Sequence, residues 1–210
     1  MKKNVKEPVW ITKHTGKMKG INSISTNCML NPYCLKRQQN KLFVCAKCYA
    51  KHYLEFRPTL RKRMDMNTEL LTEHLLDDRQ VPIINDVYFR LESFGDLINE
   101  MHFINYLRIC NLHPQTTFAL WTKNLHIIER VFKAFKRPEN LVINYSSENL
   151  NVPADESTLP SFVDHIFTVY EKKFAKDNDV PINCGKKNVC IKCLKCYRHG
   201  GEKHIREELK

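Results

Sequence analysis

The chain has 210 residues, 42% of them hydrophobic and 10% aromatic, which is enough for one sizeable core and too apolar for a wholly disordered chain. Lys and Arg number 34 against 23 Asp and Glu, a net charge of +11, and there are nine cysteines. No stretch approaches the ~20 apolar residues of a membrane span, and the basic start Met1-Lys2-Lys3 runs into no apolar signal core, so a soluble cytoplasmic protein with no membrane partner is expected.

In chain order, residues 20–25 form a short candidate strand. Residues 45–76 then read as helix broken near Pro58, with Leu71 and Leu75 on one face. Val87-Tyr88-Phe89-Arg90-Leu91 is a stronger strand, and by its period of two Arg90 and Glu92 share a face opposite Phe89 and Leu91. Residues 99–112 carry Met101, Ile104, Leu107 and Cys110 at helical spacing before Pro114, which makes Cys110 a core residue. The strand Thr117 to Trp121 follows, then a helix with Leu125, Ile128, Phe132 and Phe135 on one side before Pro138. Leu141 to Tyr145 and His165 to Tyr170 are two further strands, while residues 149–160 and 177–181 look like exposed linker.

The last four strands begin about 24 to 30 residues apart, the length of a strand, a helix and two loops. Such alternation is an α/β signature. It predicts a parallel sheet of about five strands joined by right-handed crossovers, as an open sheet or a partial barrel. Residues that bind ligands are then expected at the C-terminal ends of the strands.

Disulfides are rare in a reducing cytosol, so clustered cysteines read as metal ligands. Two quartets account for eight of the nine: Cys28-x5-Cys34-x10-Cys45-x2-Cys48 after the first strand, and Cys184-x5-Cys190-x2-Cys193-x2-Cys196 after the last. Structural zinc usually shows two paired Cys-x2-Cys knuckles, whereas the run Cys190, Cys193, Cys196 is similar to the cluster-binding run of bacterial ferredoxins, with the fourth ligand Cys184 upstream. The second group therefore points to a 4Fe-4S cluster ahead of zinc, while the spacing of the first leaves both open. Chance grouping of buried cysteines is the plainer alternative. None of the nine histidines has convincing ligand spacing.

Cys28-x5-Cys34, Cys45-Ala-Lys-Cys48-Tyr49-Ala50, Arg90-Leu91-Glu92-Ser93-Phe94-Gly95-Asp96, Trp121-Thr122-Lys123 and the late cysteine group together resemble the phage gene product 88 family, whose members are similar to the radical S-adenosylmethionine (SAM) superfamily. The resemblance runs from about Ser23 to Tyr197. It implies an α/β partial barrel, radical-SAM-like, over residues 1–176, with a cluster loop at 28–48 and a C-terminal Cys-rich metal-binding extension at 177–210. It also implies the host cytoplasm as location. In the superfamily three cysteines hold a 4Fe-4S cluster whose fourth iron takes the amino and carboxylate groups of SAM, and reduction releases a 5'-deoxyadenosyl radical.

The compact Cys-x3-Cys-x2-Cys of that superfamily is absent here. Cys34, Cys45 and Cys48 are taken as the ligands, with Cys28 either a nearby non-ligand or a replacement for one of them. Gly95-Asp96 falls where the superfamily carries a Gly-Gly-Glu element that receives the SAM amino group; a strand-end turn capped by Asp is the plainer account. Thr122-Lys123 and Ser146-Ser147-Glu148-Asn149 end the next two strands and are candidate cofactor or substrate contacts, Ser146 first among the second group; equally, Thr122 or Asn124 is an N-cap and the Ser-Ser-Glu-Asn run a turn. Tyr49 is expected to pack beside the first cluster.

Basic residues gather as Arg61-Lys62-Arg63, Lys133 with Lys136-Arg137, Lys172-Lys173, and Lys186-Lys187 through Arg198. Each alone is an ordinary solvated face, but the net excess suggests polyanion affinity, with nucleic acid the commonest target. The leading expectation is a 4Fe-4S protein with one or two clusters that cleaves SAM and acts on an unknown substrate, RNA or a nucleotide being compatible. Its rivals are a non-catalytic nucleic-acid-binding protein with two four-cysteine zinc sites, and an iron-sulfur electron-transfer or sensor protein that binds no SAM.

Overall fold

Continuous apolar runs, not alternating ones, mark the middle of the sheet. Phe118 to Trp121 of strand β3 (Thr117–Thr122) and Leu141 to Ile143 of β4 (Leu141–Ser146) are buried throughout, as parallel strands covered on both faces require. In the computed structural model, which describes residues 7–185 and 189–209, these strands are flanked by β1 (Asn22–Ile24), β2 (Tyr88–Leu91), β5 (His165–Tyr170) and β6 (His204–Glu208). All pairings are parallel, and the spatial order is the chain order, β1-β2-β3-β4-β5-β6.

Between β1 and β2 lie the short helices α1 (Pro32–Gln38) and α2 (Tyr49–Glu55) and the longer α3 (Pro58–Glu73). Helix α4 (Glu100–Leu112) joins β2 to β3, α5 (Leu125–Phe132) joins β3 to β4, and α6 (Lys172–Asp177) and α7 (Cys190–Cys193) precede β6. Phe89, Leu91, Phe118, Leu120, Leu141 and Ile143 meet Leu71 of α3, Phe103 and Tyr106 of α4, and Ile127 and Ile128 of α5 in one core. The three longest helices thus share one face. On the other, Ala119, Trp121 and Val142 are covered by Tyr197, with Ile191 and Leu194 packed alongside. A sheet wound in chain order sends the C-terminal end of every strand to one edge, where the following loops collect.

The expected α/β architecture and parallel sheet are present, with six strands where about five were expected. The sixth reads His-Ile-Arg-Glu-Glu, a charged sequence that fits an edge strand, where charge discourages further pairing. It hydrogen-bonds along β5 from Ile166 to Tyr170, so the segment after residue 177 returns to the sheet. The sheet is open, and single bridges touch its two edges: Thr12 to Ser23 beside β1, and Cys184 to Glu207 beside β6.

Several local expectations are corrected. Helix α3 does begin at Pro58, in the first-turn position where proline sacrifices no hydrogen bond. It stops at Glu73, so Leu71 is buried while Leu75 is exposed. Helix α5 ends at Phe132, leaving Phe135 45% exposed. Arg90 and Glu92 do not share a face. Strand β2 ends at Leu91, and Glu92 adopts a left-handed φ of 60°, which swings its carboxylate toward α4 while Arg90 stays over Trp121. The residues Met1–Lys6 and the pair Lys186-Lys187 lie outside the described residues. No helix among the described residues is long and apolar enough to cross a membrane.

Urea unfolding checks this arrangement. Phe118→Ala should lose about 3–5 kcal/mol by opening the core beneath α4, whereas Phe135→Ala, beyond the end of α5, should lose less than about 1 kcal/mol. Equal losses would place Phe135 in the core after all.

Candidate metal and cofactor cavity

The chain leaves β1 through Ser25-Thr26-Asn27-Cys28, and hydrogen bonds fix each step. Ser25 Oγ accepts from the Ser93 amide at 2.8 Å, tying the loop to the end of β2. Asn27 Nδ2 donates to Asp65 at 2.6 Å, and its Oδ1 accepts from the Met29 amide at 2.8 Å, which fixes the turn holding Cys28. Asn31 caps α1 through the Tyr33 amide and donates to the Asp96 carbonyl at 3.0 Å, so Cys34 rides on a helix anchored to the β2 loop. The segment carrying Cys45 is held from the far side: the Val44 amide donates to the Glu148 carbonyl at 2.9 Å, and Arg37 Nε to the Glu148 carboxylate at 2.7 Å. Cys48 is the N-cap residue of α2.

The β2 loop packs against this one without slack. A methyl group on Gly95 would fall 2.4 Å from Thr26 Oγ1, 2.6 Å from the Glu92 carboxylate and 2.8 Å from the Thr26 carbonyl. Glu92, 1% exposed, accepts from Thr26 Oγ1 at 3.1 Å and from the Tyr106 hydroxyl at 2.6 Å, and His102 Nε2 lies 3.2 Å away. Asp96 is buried as well. Its carboxylate accepts from the Leu97 amide at 2.8 Å, the Thr122 hydroxyl at 2.5 Å and the Lys123 amide at 3.0 Å. Burial pushes that carboxyl above the usual range, and the Lys123 charge and these donors oppose the shift. Asp96 therefore fastens the end of β2 to the end of β3. Lys123 Nζ crosses to Ser146 Oγ at the end of β4, 2.6 Å away.

The second cysteine group lies along the other side. The Cys184 amide donates to the Arg206 carbonyl of β6 at 3.0 Å, and Lys17 Nζ reaches Cys184 Sγ at 3.0 Å and the Glu207 carboxylate. Cys190 and Cys193 bound α7, and Leu194, left-handed at φ 54°, turns the chain back so that the Cys196 carbonyl accepts from Asn144 of β4 at 3.1 Å. Tyr197 then seats its ring against Trp121 at 5.8 Å and Tyr88 at 5.9 Å.

One cavity of about 2130 Å³ receives both groups: Cys28, Cys34, Cys45 and Cys48, and Cys184, Cys190, Cys193 and Cys196 all line it. Gly95, Asp96, Thr122, Lys123 and Ser146 line it too, whereas Ser147, Glu148 and Asn149, the other candidates after β4, do not. Cys110 is in the core on α4, away from them. Tyr49 lies at the cavity, its hydroxyl on the Ser93 carbonyl and its ring 6.3 Å from Phe94. Among the described residues, no three His, Cys, Asp or Glu side chains converge as a ready-made site for a single ion.

The thiols are not equivalent. Cys28 is pushed up by its contact with Cys48 and by burial. Cys48 is drawn down, first by that contact and, against burial, by the Ala50 and Lys51 amides at the start of α2 and the Lys123 charge. Burial pushes Cys34 and Cys45 up, as it does Cys184, Cys190 and Cys196, with nearby cations opposing the shift.

Three contributors were given no ligand role by the sequence, and two of them, His14 and Lys17, lie in no motif. Arg90 lies 3.9 Å above the Trp121 ring, His14 approaches Ser23 Oγ at 2.7 Å, and Lys17 grips Cys184. His14 is drawn down to about 4 by burial and by the Arg90 charge. Only Arg90 left a trace in the sequence, as a charge inside a strand.

A family model described as Gene product 88 matches residues 11–206. No curated protein and no solved structure matches the chain. Gly95→Ala should lower stability by about 1–3 kcal/mol in urea unfolding, since backbone atoms leave no room for the methyl group; unchanged stability would mean that the β1 and β2 loops are not in contact.

Proposed function

The chain belongs to the gene product 88 family, and we propose that within it this protein is a radical-SAM-like 4Fe-4S protein that binds SAM at the C-terminal edge of a sheet built as a partial barrel. The observation that carries this reading is the convergence of both cysteine groups and the ends of β2, β3 and β4 on one cavity. Thiols are soft donors suited to iron-sulfur ligation, and the four of the first group sit within electrostatic reach of one another. When bound, a cluster with one open iron supplies reductive cleavage of the SAM sulfonium.

The protein's own groups divide the remaining work. Cys34, Cys45 and Cys48 are the ligands. Cys28, 2% exposed, is the buried neighbour of Cys48 in this loop. Lys123, steered by Ser146, offers the cation for a carboxylate, and Asp96 positions the Lys123 backbone. Phe94, with the rings of His14, Tyr49 and Tyr53 around it, gives this end of the cavity an aromatic wall. Cys184, Cys190, Cys193 and Cys196 hold a second centre on the opposite wall, with Lys17 beside Cys184. Nucleotides or RNA are the substrate class that the positive charge favours.

Anaerobically purified protein should be brown, contain iron and absorb near about 400 nm, and it should cleave SAM only with a reductant such as dithionite. Colourless protein carrying zinc would sink this reading in favour of four-cysteine zinc sites. Cys48→Ala should remove the first cluster and all SAM cleavage, while Cys193→Ala should spare the first cluster's spectrum; loss of both signals in Cys193→Ala would merge the two centres. Lys123→Met should keep the cluster absorption and weaken SAM binding about tenfold, or ~1.4 kcal/mol, by titration. Unchanged affinity would remove Lys123 from the SAM site.

A further inference from the structure

Helix α2, the start of α3 and the segment before β1 expose large rings in close company. Phe56 is 71% exposed, Tyr53 42% and Trp10 38%. Single exposed apolar residues are normal on any surface, but two of these carry an arginine over the ring. The Arg57 guanidinium sits 4.6 Å over the Tyr53 ring and that of Arg63 3.7 Å over the Trp10 ring. Arg61 and Lys62 are exposed on the same stretch. Of the acidic residues nearby, Glu55 lies 3.9 Å from Lys51 and Asp65 accepts from Asn27, while Glu7 shares a small pocket with Trp10, Lys62 and Arg63, so cations outnumber carboxylates on this stretch.

We propose that this surface is a platform for single-stranded nucleic acid, with bases stacking on Tyr53, Phe56 and Trp10 and phosphates taken by Arg57, Arg61 and Arg63. An aromatic face binds any unstacked base, worth about 1–3 kcal/mol per base, and a guanidinium already held flat on a ring presents its N–H edge to phosphate. A duplex keeps its bases stacked inside and offers such a platform little. Trp10, Tyr53, Arg57 and Arg63 also line the cavity that both cysteine groups face, so a strand held there places a nucleotide at its mouth. That last step rests on the SAM-dependent reading above; the binding itself does not.

Fluorescence anisotropy on the full chain, with labelled single-stranded RNA and DNA of about 20 nucleotides and the matching duplexes, tests the proposal. Single strands of one or both kinds should bind at least about tenfold more tightly than duplex at about 100 mM salt. Tyr53→Ala and Phe56→Ala, at exposed positions, should each weaken binding about fivefold or more, and Arg57→Ala should also reduce the salt slope by about one. The exposed basic pair past the end of α5, which packs on α4, is the control, and K133A/K136A should bind like the unaltered chain. Equal affinity for duplex, full binding by both aromatic variants, or a loss in K133A/K136A matching that in Arg57→Ala would each overturn the platform. Absence of iron or of SAM cleavage, with single-strand binding intact, would overturn the enzyme reading alone.

Discussion

The buried carboxylate of Glu92 is the contact on which the cavity depends. Removing an ion from water costs several kcal/mol, and only well-placed donors offset it. Thr26 supplies one from the β1 loop and Tyr106 supplies another from α4, so a single side chain ties the cysteine loop, the end of β2 and the helical layer together. Gly95 has no side chain because this junction leaves no volume for one. The position of Cys28, and through Asn31 that of Cys34, follows from that tie.

What could be read from the sequence follows the physics of each element. Strands β3 and β4 are apolar at successive positions, a pattern that only a doubly covered parallel strand needs, and they stand out. Strand β1 is Asn-Ser-Ile, and β6 is mostly charged; neither carries a hydrophobic signal, because partners and not composition make them strands. Helix ends were harder still, since Leu75 and Phe135 continue a helical rhythm that the backbone abandons. The cysteine groups were visible through spacing alone. Their meeting in one cavity was not, because that comes from the C-terminal segment folding over the face opposite the helices. The faces of Arg90 and Glu92 were misjudged for a definite reason: strand periodicity holds only while the strand lasts, and a left-handed residue ends it.

Charge is distributed in two ways across the molecule. Three of the cations that line the cavity are held beside the cysteine groups: Lys123 meets Ser146, Lys17 meets Cys184 and Glu207, and Arg90 lies over Trp121. Cations held this way are fixed in direction and lower the cost of holding thiolates in a partly buried space. On the α2 and α3 surface Arg57 and Arg63 lie over the rings of Tyr53 and Trp10, contacts that leave their charge in place. A net charge of +11 says nothing of this difference, which depends on what each side chain lies against.

Lys17 and Cys184 are 167 positions apart in the chain, yet they touch across the cavity. Segments near both ends of the described chain, Trp10 to Met18 and Glu207 to Leu209, form part of its wall. The enclosure is therefore clasped by two segments far apart in the sequence, and the loop they close grows costlier only logarithmically with the length of chain between them. An insertion at the exposed position Val152, which lies between them in the chain, would thus add little to the cost of bringing Lys17 to Cys184.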